Sequence, residues 1–427
     1  MMHRRGTLTA VVAAVALLCV APSAAAVGAT SPKVTARASA SASASASPVP
    51  SSAAVASDSP SAAPTATDSS ASVRVVAGDD AALAERASAI VAGMSPRQKA
   101  GALVMGHLPS TDPEAVRAYM EQTGAGGFIV MGANVSGSES ALRALAQSAT
   151  LDPTLPALLA VDQEGGDVRR LKWDDFPSSL TLKSAPPEAT ATAFSGRGAL
   201  VERAGIDVNF GIVADYTDDP GSFIYRRSLG TDASAATLRV AAAVSGEASF
   251  VDSTLKHFPG HGAAPGDSHR TIPSTDMSIE AWRAGEALPF QAGIDAGAQL
   301  VMFGHLAYTS VDAAPASLSV AWHDILRDEL GFTGVAITDD MAMLEASGVA
   351  AYQDPVANAV AALVAGNDMV LGVAYSSVDR ANAVIDGIAG AVASGALSAE
   401  RLDEAATRVV ALRLSSAIAG ALPCSVC

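Results

Sequence analysis

Continuously hydrophobic runs recur between residues 76 and 421, separated by longer stretches of helical character. Such runs are typical of strands buried on both faces of a parallel sheet, whereas half-exposed strands alternate apolar and polar residues. Eight runs are predicted to be strands: residues 102–105, 127–131, 158–161, 207–212, 253–256, 300–303, 335–338 and 369–371. Eight strands separated by helices favour the α/β class and a single (β/α)8 TIM-type barrel.

An open, doubly wound sheet is the alternative fold for this pattern. That fold carries a glycine-rich dinucleotide-binding turn after its first strand, and no such turn follows residues 102–105. A helix is predicted to begin at Ser95 and Pro96, with the serine as cap and the proline in the first helical position. The last predicted helix covers residues 399–414, and we expect no second domain after it.

The first 75 residues differ from the rest of the chain. Residues 1–26 have the pattern of an export signal, with Arg4 and Arg5 before an apolar stretch and small residues at the end. Residues 27–75 are rich in Ser, Ala and Pro, and we predict a disordered linker because too few large apolar groups offset chain entropy. The barrel is expected over residues 76–421, followed by a tail at 422–427. We therefore expect a secreted protein, either released or associated with the cell wall, with no membrane insertion after signal removal.

The charge of the chain limits the classes of partner. Acidic residues outnumber basic ones by 43 to 27, and the formal net charge is -16. Nucleic acid and anionic membrane surfaces would be repelled, so a neutral substrate suits the chain better. We expect the protein to be a monomer. Of the three cysteines, Cys19 lies in the signal. Cys424 and Cys427 lie so close together that a disulfide between them would stabilise little.

Polar side chains gather where the predicted strands end. They follow five strands: Asp162 and Glu164, Asn209 and Asp215, Lys256 and His257, His305, and Asp339 and Asp340. Barrels place their active sites at the carboxyl ends of the strands. The sequence therefore predicts an active site at this end.

The densest polar segment is Lys256-His257-Phe258-Pro259-Gly260-His261-Gly262, followed by Asp267-Ser268-His269. A metal site is one interpretation, since His257, His261, His269 and Asp267 are suitable ligand types. The spacing of the first two histidines aligns ligands only on a helix, which Pro259 and Gly260 would break. We therefore expect neither a metal nor a cofactor. Acid–base chemistry is the favoured interpretation, because Asp267 can orient the ring of His269 and favour its protonated form.

Asp339 directly follows the apolar run 334–337 and is followed by a second carboxylate, Asp340. Adjacent carboxylates are costly to bury together, so at least one is expected to face a cavity. A carboxylate in that position can attack a sugar carbon and form a covalent glycosyl-enzyme. For Asp340 the favoured interpretation is a helix cap, since residues 341–346 have helical character.

Together these residues resemble glycoside hydrolase family 3, in its β-N-acetylglucosaminidase branch. The resemblance covers residues 94–414, and its most specific part is the segment 256–269. Supporting segments are Asp162-Gln163-Glu164-Gly165-Gly166, Gly205-Ile206-Asp207-Val208-Asn209-Phe210, Arg227-Ser228, Gly331-Phe332-Thr333-Gly334 and Thr338-Asp339-Asp340-Met341.

The resemblance implies a role for each matching position. Asp339 would be the nucleophile, and Asp267 with His269 would be the acid/base pair. The residues that would hold the terminal sugar are Asp162, Arg227, Lys256 and His257. The implied activity is that of a retaining exo-β-N-acetylglucosaminidase acting on cell-wall (muropeptide) or chitin-type oligosaccharides.

Two positions depart from the family pattern, and other functions stay open. Asp167 follows the paired glycines where a basic residue is usual, and Leu229 stands where an aromatic ring is common. A β-glucosidase or β-xylosidase of the same family is one alternative, although those enzymes usually take their acid/base carboxylate from a second domain. A phosphorylase is another, since a neutral histidine would let phosphate approach. A non-catalytic carbohydrate-binding surface protein is the third, and a binder would need no nucleophile.

Overall fold

Eight parallel strands close into a barrel in a computed structural model that describes residues 76–421. Each strand pairs with the one before it in the chain, and the last pairs with the first. The strands are β1 (Val104–Gly106), β2 (Gly127–Val130), β3 (Leu158–Val161), β4 (Val208–Val213), β5 (Asp252–Phe258), β6 (Leu300–Phe303), β7 (Val335–Asp340) and β8 (Met369–Leu371). The predicted (β/α)8 barrel is confirmed. The predicted signal, linker and tail, with all three cysteines, lie outside the described residues.

Each of the eight predicted runs overlaps a strand, but β1 begins at Val104 rather than at Ala102, which ends α2, and two other strands extend beyond their apolar runs. The run 253–256 predicted an end at Lys256, whereas β5 continues to Phe258. The run 335–338 predicted an end at Thr338, whereas β7 continues to Asp340. Pairing persists in both cases, since Phe258 lies opposite Phe303 and Asp340 opposite Leu371. The apolar run ends before the strand pairing ends, because polar residues near the end of each strand line the mouth of the barrel.

Helices surround the barrel. They are α1 (Val76–Ala92), α2 (Pro96–Ala102), α3 (Pro113–Thr123), α4 (Glu139–Ala149), α5 (Ser179–Leu182), α6 (Pro187–Arg203), α7 (Ala233–Glu247), α8 (Ile279–Ala284), α9 (Ala287–Asp295), α10 (Val320–Asp324), α11 (Ala342–Ala346), α12 (Pro355–Ala365), α13 (Val378–Ser394) and α14 (Ala399–Ala421). Ser95 caps α2 as predicted, and Gln98 completes a capping box. Among the described helices, none is long and apolar enough to cross a membrane.

Two small sheets extend the mouth of the barrel. An antiparallel pair, Gln163–Gly165 with Val168–Arg169, follows β3 and carries Glu164. A parallel pair, Ser274–Thr275 with Ala307–Tyr308, connects the loop after β5 to the loop after β6. Both sheets therefore place backbone at the end where the polar residues gather.

The few aromatic residues of the chain are concentrated beneath the end of β5. The fully buried ring of Phe258 contacts Trp282, Phe290, Phe303 and Trp322 edge-to-face, with ring centroids 4.9 to 5.9 Å apart. The Nε1–H of Trp282 donates to the carbonyl of Pro259 at 2.8 Å. Edge-to-face contacts fix ring positions as well as burying area. The loop after β5 is thus anchored on a rigid apolar base.

A buried carboxylate joins the opposite end of the barrel to the last helix. Asp368, fully buried, accepts hydrogen bonds from Arg327 at 2.6 Å, from Arg401 at 2.8 Å and from Arg408 at 3.1 Å. It also accepts the backbone N–H of Ala336 on β7 at 3.0 Å. A buried charge is tolerated because it is paired and hydrogen-bonded on both oxygens.

We predict that Asp368→Ala destabilises the fold by about 3–5 kcal/mol, since it leaves three guanidinium groups facing an empty site. The measurement is the free energy of unfolding from denaturant titration. Asp403→Ala, on the last helix α14, is the matched control. It removes one half-exposed pair with Lys99 and should cost less than about 1 kcal/mol. Equal losses in the two variants would show that Asp368 is not the link we describe.

Candidate active site

Five charged side chains form a connected cluster at the mouth of the barrel. The ammonium group of Lys256 lies 3.0 Å from Asp162 Oδ1 and 2.8 Å from Glu164 Oε1. Arg227 donates to both oxygens of Glu164, at 2.9 and 2.7 Å. Arg170 donates to the second oxygen of Asp162 at 2.8 Å. Three predicted sugar-binding residues therefore meet, together with Glu164, to which we had assigned no role.

The pairing in this cluster keeps every member charged. Burial alone would raise the pKa of Glu164, but the Arg227 guanidinium and the Lys256 ammonium bring it down to about 2. Burial has the same effect on Asp162, and Lys256 and Arg170 hold its pKa below the usual range. The pKa of Lys256 is raised in spite of its burial, because two carboxylates face it. The cluster offers fixed charges, of both signs, to a ligand with hydroxyl groups.

Asp215 organises the loop that follows β5. Its carboxylate accepts the backbone N–H of His257 at 3.1 Å, the backbone N–H of His261 at 2.6 Å and the Nδ1–H of His257 at 2.7 Å. Burial and the charge of Arg227 hold the pKa of His257 well below its ordinary value, so the ring is neutral. With Nδ1 donating to Asp215, Nε2 of His257 accepts from Arg227 at 3.3 Å. His257, the fourth residue predicted to bind the sugar, thus belongs to the same cluster.

Asp339 lies at the end of β7 with one carboxylate oxygen fixed. Its Oδ1 accepts the backbone N–H of Asp340 at 2.8 Å, and within residues 76–421 no hydrogen bond reaches Oδ2. Burial would raise its pKa, but neighbouring groups, among them the Asp340 amide and the Lys256 ammonium, outweigh burial and lower it. Asp339 is therefore ionised and has a free oxygen.

Asp340 has a different task from its neighbour. Its side chain accepts the backbone N–H groups of Ala342 at 3.2 Å, Val373 at 2.9 Å and Ala374 at 3.0 Å. The bond to Ala342 reaches the first residue of α11, but the N-cap position is Met341, which makes no side-chain cap, so the prediction that Asp340 occupies the cap was wrong by one residue. The other two bonds fix the loop that follows β8. The backbone carbonyl of Asp340 accepts a hydrogen bond from Nε2 of the buried His305 at 3.0 Å.

Asp267 and His269 form a pair on an exposed loop. Nδ1 of His269 lies 2.8 Å from Asp267 Oδ1, and the backbone N–H of His269 donates to the same oxygen at 3.0 Å. The two side chains are 36% and 59% exposed. Burial would raise the pKa of Asp267, but the hydrogen bonds from His269 lower it. The predicted contact is present, and Nε2 of His269 is left for another partner.

Phe223 connects this exposed loop to the buried cluster. Its ring lies edge-on to His269 with centroids 5.3 Å apart, and it contacts His261 at 5.7 Å. The Arg227 guanidinium lies 4.9 Å from the same ring. Sequence reasoning missed Phe223, because nothing in its local pattern distinguishes it from a core residue.

The histidines considered as metal ligands have separate partners. His257 bonds to Asp215, His269 bonds to Asp267, and Nε2 of His261 lies 3.0 Å from Ser268 Oγ. Among residues 76–421, no group of three or more His, Cys, Asp or Glu side chains is placed to hold a metal ion. The contact between His261 and Ser268 joins the two ends of the loop that follows β5.

The two departures from the family pattern have structural explanations. Asp167 forms a two-pronged pair with Arg226, at 2.6 and 3.1 Å, and both side chains are at least half exposed. It therefore lies on the rim and makes no contact with the charge cluster. Leu229 is fully buried in the core that includes Phe258. Its side chain replaces an aromatic ring without reaching the site.

Glu286 lies beneath the loop after β5. A Cβ atom at Gly260, whose φ is 134°, would lie 2.7 Å from Glu286 Oε2, so only glycine fits there. Burial, together with the nearby charge of Asp215, raises the pKa of Glu286 to about 8. Glu286 is thus protonated at neutral pH. Sequence reasoning missed it because it lies outside the motif, between α8 and α9.

Comparison with known proteins places the chain among sugar-cleaving enzymes. Residues 96–412 match the model of the glycosyl hydrolase family 3 N terminal domain. An Arthroderma benhamiae protein described as an uncharacterized secreted glycosyl hydrolase is 32% identical over 329 residues, which cover 74% of this chain and 92% of that protein. A Pseudomonas aeruginosa beta-hexosaminidase is 33% identical over 261 residues, which cover 60% of this chain and 77% of the relative.

A solved structure has the same architecture. It is a family 3 beta-N-acetylglucosaminidase from Paenibacillus, with a TM-score of 0.71 and 30% identity. The alignment covers 78% of this chain and 65% of that protein. These similarities confirm the resemblance that the motifs indicated.

The raised pKa of Glu286 predicts a pH-dependent gain from Glu286→Gln. In the wild type, the unfolded state ionises above about pH 4.5 while the folded state stays protonated to about pH 8. Stability is therefore lost as pH rises between these values, by up to about 1.4 kcal/mol per pH unit. Glutamine removes this loss, so unfolding free energies measured at pH 5 and pH 8 should show a gain over the wild type that grows with pH.

The exposed Glu329 supplies the control for this prediction. It pairs with Arg283, which lowers its pKa. Glu329→Gln should therefore give no gain that grows between pH 5 and pH 8. If the gain from Glu286→Gln were the same at both pH values, Glu286 would be ionised in the fold and our assignment would be wrong.

Proposed function

Since the chain belongs to glycosyl hydrolase family 3, we propose that it is a retaining exo-β-N-acetylglucosaminidase. One observation carries this proposal: an ionised, partly buried carboxylate, Asp339, lies at the same barrel mouth as the exposed Asp267–His269 pair. A nucleophile and a separate proton carrier are the two groups that a retaining glycosidase requires. The beta-hexosaminidase and beta-N-acetylglucosaminidase similarities support the choice of sugar.

The charge cluster holds the terminal sugar. Asp162 and Lys256 are mutually paired yet keep lone pairs and protons for the sugar's hydroxyl groups. Arg227 and His257 extend the same surface. Because the charges are already oriented by one another, binding a single sugar ring requires little reorganisation.

The reaction follows from the positions of the two active groups. Oδ2 of Asp339 attacks the anomeric carbon while protonated His269 gives its proton to the glycosidic oxygen, and the leaving group departs as an alcohol. Water then attacks the glycosyl-aspartate, and His269 takes a proton from it. Asp267 keeps Nδ1 of the ring occupied, so that Nε2 is the nitrogen that exchanges protons. Two displacements at one carbon give retention.

The location and natural substrate follow from the rest of the chain. We infer export from the pattern of residues 1–26, and the secreted relative supports it. An exported enzyme of this specificity meets muropeptide fragments of the cell wall and chitin-type oligosaccharides. Both present terminal β-linked N-acetylglucosamine.

Asp339→Asn should lower kcat at least about a thousandfold, because the amide cannot form the glycosyl-enzyme. The site of attack is identified by mass spectrometry after treatment with 5-fluoro-N-acetylglucosaminyl fluoride, with the label expected on Asp339. Asp328→Asn, at an exposed position, should leave turnover and labelling unchanged. A label on another carboxylate would disprove the assignment.

His269→Ala should slow poor leaving groups far more than activated ones, since only poor leaving groups need the proton. We expect a loss of about 100-fold or more in kcat/KM for a disaccharide, and a much smaller loss for dinitrophenyl N-acetylglucosaminide. The control variant is Arg270→Ala, because Arg270 is exposed and lies on the same loop as His269, whereas His323 is buried. Equal losses for both substrates would exclude His269 as the proton donor.

A further inference from the structure

Tyr375 combines exposure with an unfavourable backbone conformation. It is 70% exposed and has a φ of 57°, and within residues 76–421 it is the one non-glycine residue with a positive φ. A tyrosine in the left-handed region costs of order 1–2 kcal/mol, because its Cβ crowds the backbone. Such an outlier persists where the surrounding structure enforces it, and it points to a function for the side chain.

The loop that carries Tyr375 is bound to the residue next to the proposed nucleophile. Asp340 accepts the backbone N–H groups of Val373 and Ala374, the two residues before Tyr375. Ser376 Oγ donates to the carbonyl of Gly372 at 3.0 Å, which closes the turn. Asp340 in turn donates its own N–H to Asp339. The position of the tyrosine is thus fixed relative to Asp339 through two hydrogen-bonded steps.

One part of the ring faces a cation and the rest faces solvent. The Arg380 guanidinium lies 5.9 Å from the ring centroid and is itself held by Glu345. Some other exposed apolar side chains, such as Leu238 on α7 and Val364 on α12, lie on helices outside the barrel, whereas Phe176 and Val349 lie in loops. Tyr375 instead follows β8, at the carboxyl end where the active site lies. The ring of Tyr375 is therefore an exposed aromatic surface at the carboxyl end of the barrel.

We propose that Tyr375 is the stacking platform for the sugar ring on the leaving-group side of the scissile bond. This inference rests on the proposed function. The terminal sugar is held by nearly buried charges, so an aromatic ring that is mostly exposed contacts the part of the substrate that projects from the pocket. A pyranose ring has an apolar face of C–H groups that covers an aromatic ring well, and the tyrosine hydroxyl stays in water. The favoured substrate is therefore an oligosaccharide in which a second sugar follows the first.

The platform is tested with substrates that differ only in the leaving group. N,N′-diacetylchitobiose has a sugar ring on that side, whereas N-acetyl-β-glucosaminyl fluoride has none. Tyr375→Ala should lower kcat/KM for the disaccharide roughly tenfold, mainly through KM, and should change that for the fluoride less than about twofold. Tyr375→Phe keeps the ring and should restore the disaccharide activity. Leu238→Ala should change neither substrate.

A glycine variant separates the ring from the backbone strain. Tyr375→Gly accepts the positive φ without cost but has no side chain, so it should lose as much disaccharide activity as Tyr375→Ala. Loss in the alanine variant alone would show that the backbone matters and would overturn the platform. Equal changes for both substrates would overturn it as well. A wild-type protein that cleaves neither substrate would contradict the proposed function itself, and the platform with it.

Discussion

A buried carboxylate without enough donors is unstable, and the active end of this barrel is arranged around that constraint at Asp215. The residue lies just past β4, and burial raises its pKa. It remains compatible with the fold because three N–H groups converge on it, two from His257 at the end of β5 and one from His261 in the loop that follows. The path of the backbone from His257 to His261 is therefore determined by where one carboxylate finds its hydrogen bonds.

This constraint extends to the neighbouring charges. A ring whose Nδ1 donates to Asp215 presents Nε2 as an acceptor, which suits the guanidinium of Arg227. Arg227 is left to pair with Glu164, and Glu164 shares Lys256 with Asp162. Each charge is thus placed by the one before it. Burying any one of these charged side chains alone would be costly, whereas in the complete network each has its hydrogen-bond partners.

The sequence predicted the parts of the molecule that depend on local pattern. Strands such as β6 could be predicted because continuous apolar runs report burial on both faces, and the Asp267–His269 contact because two residues of separation suffice to form it. The ends of β5 and β7 were misplaced because pairing continues past the apolar residues. Phe223, Glu286 and Tyr375 could not be found in this way. Their roles depend on contacts with segments distant in the chain, or on a backbone angle that composition does not reveal.

The site divides into an interior and an exposed exterior, and the two parts suit different steps of the reaction that we propose. The buried Glu164 and the partly buried Asp339 have pKa values lowered by their neighbours, which would keep them ionised while a neutral sugar is bound and attacked. The proton carrier must meet leaving groups of differing shape and must exchange protons with water, so it gains from exposure. Its orientation then depends on its own hydrogen bond to Asp267 and on the edge of Phe223, rather than on burial. Barrel strands thus supply the precision of bond cleavage, and the loops beyond them supply the access that the second half of the reaction needs.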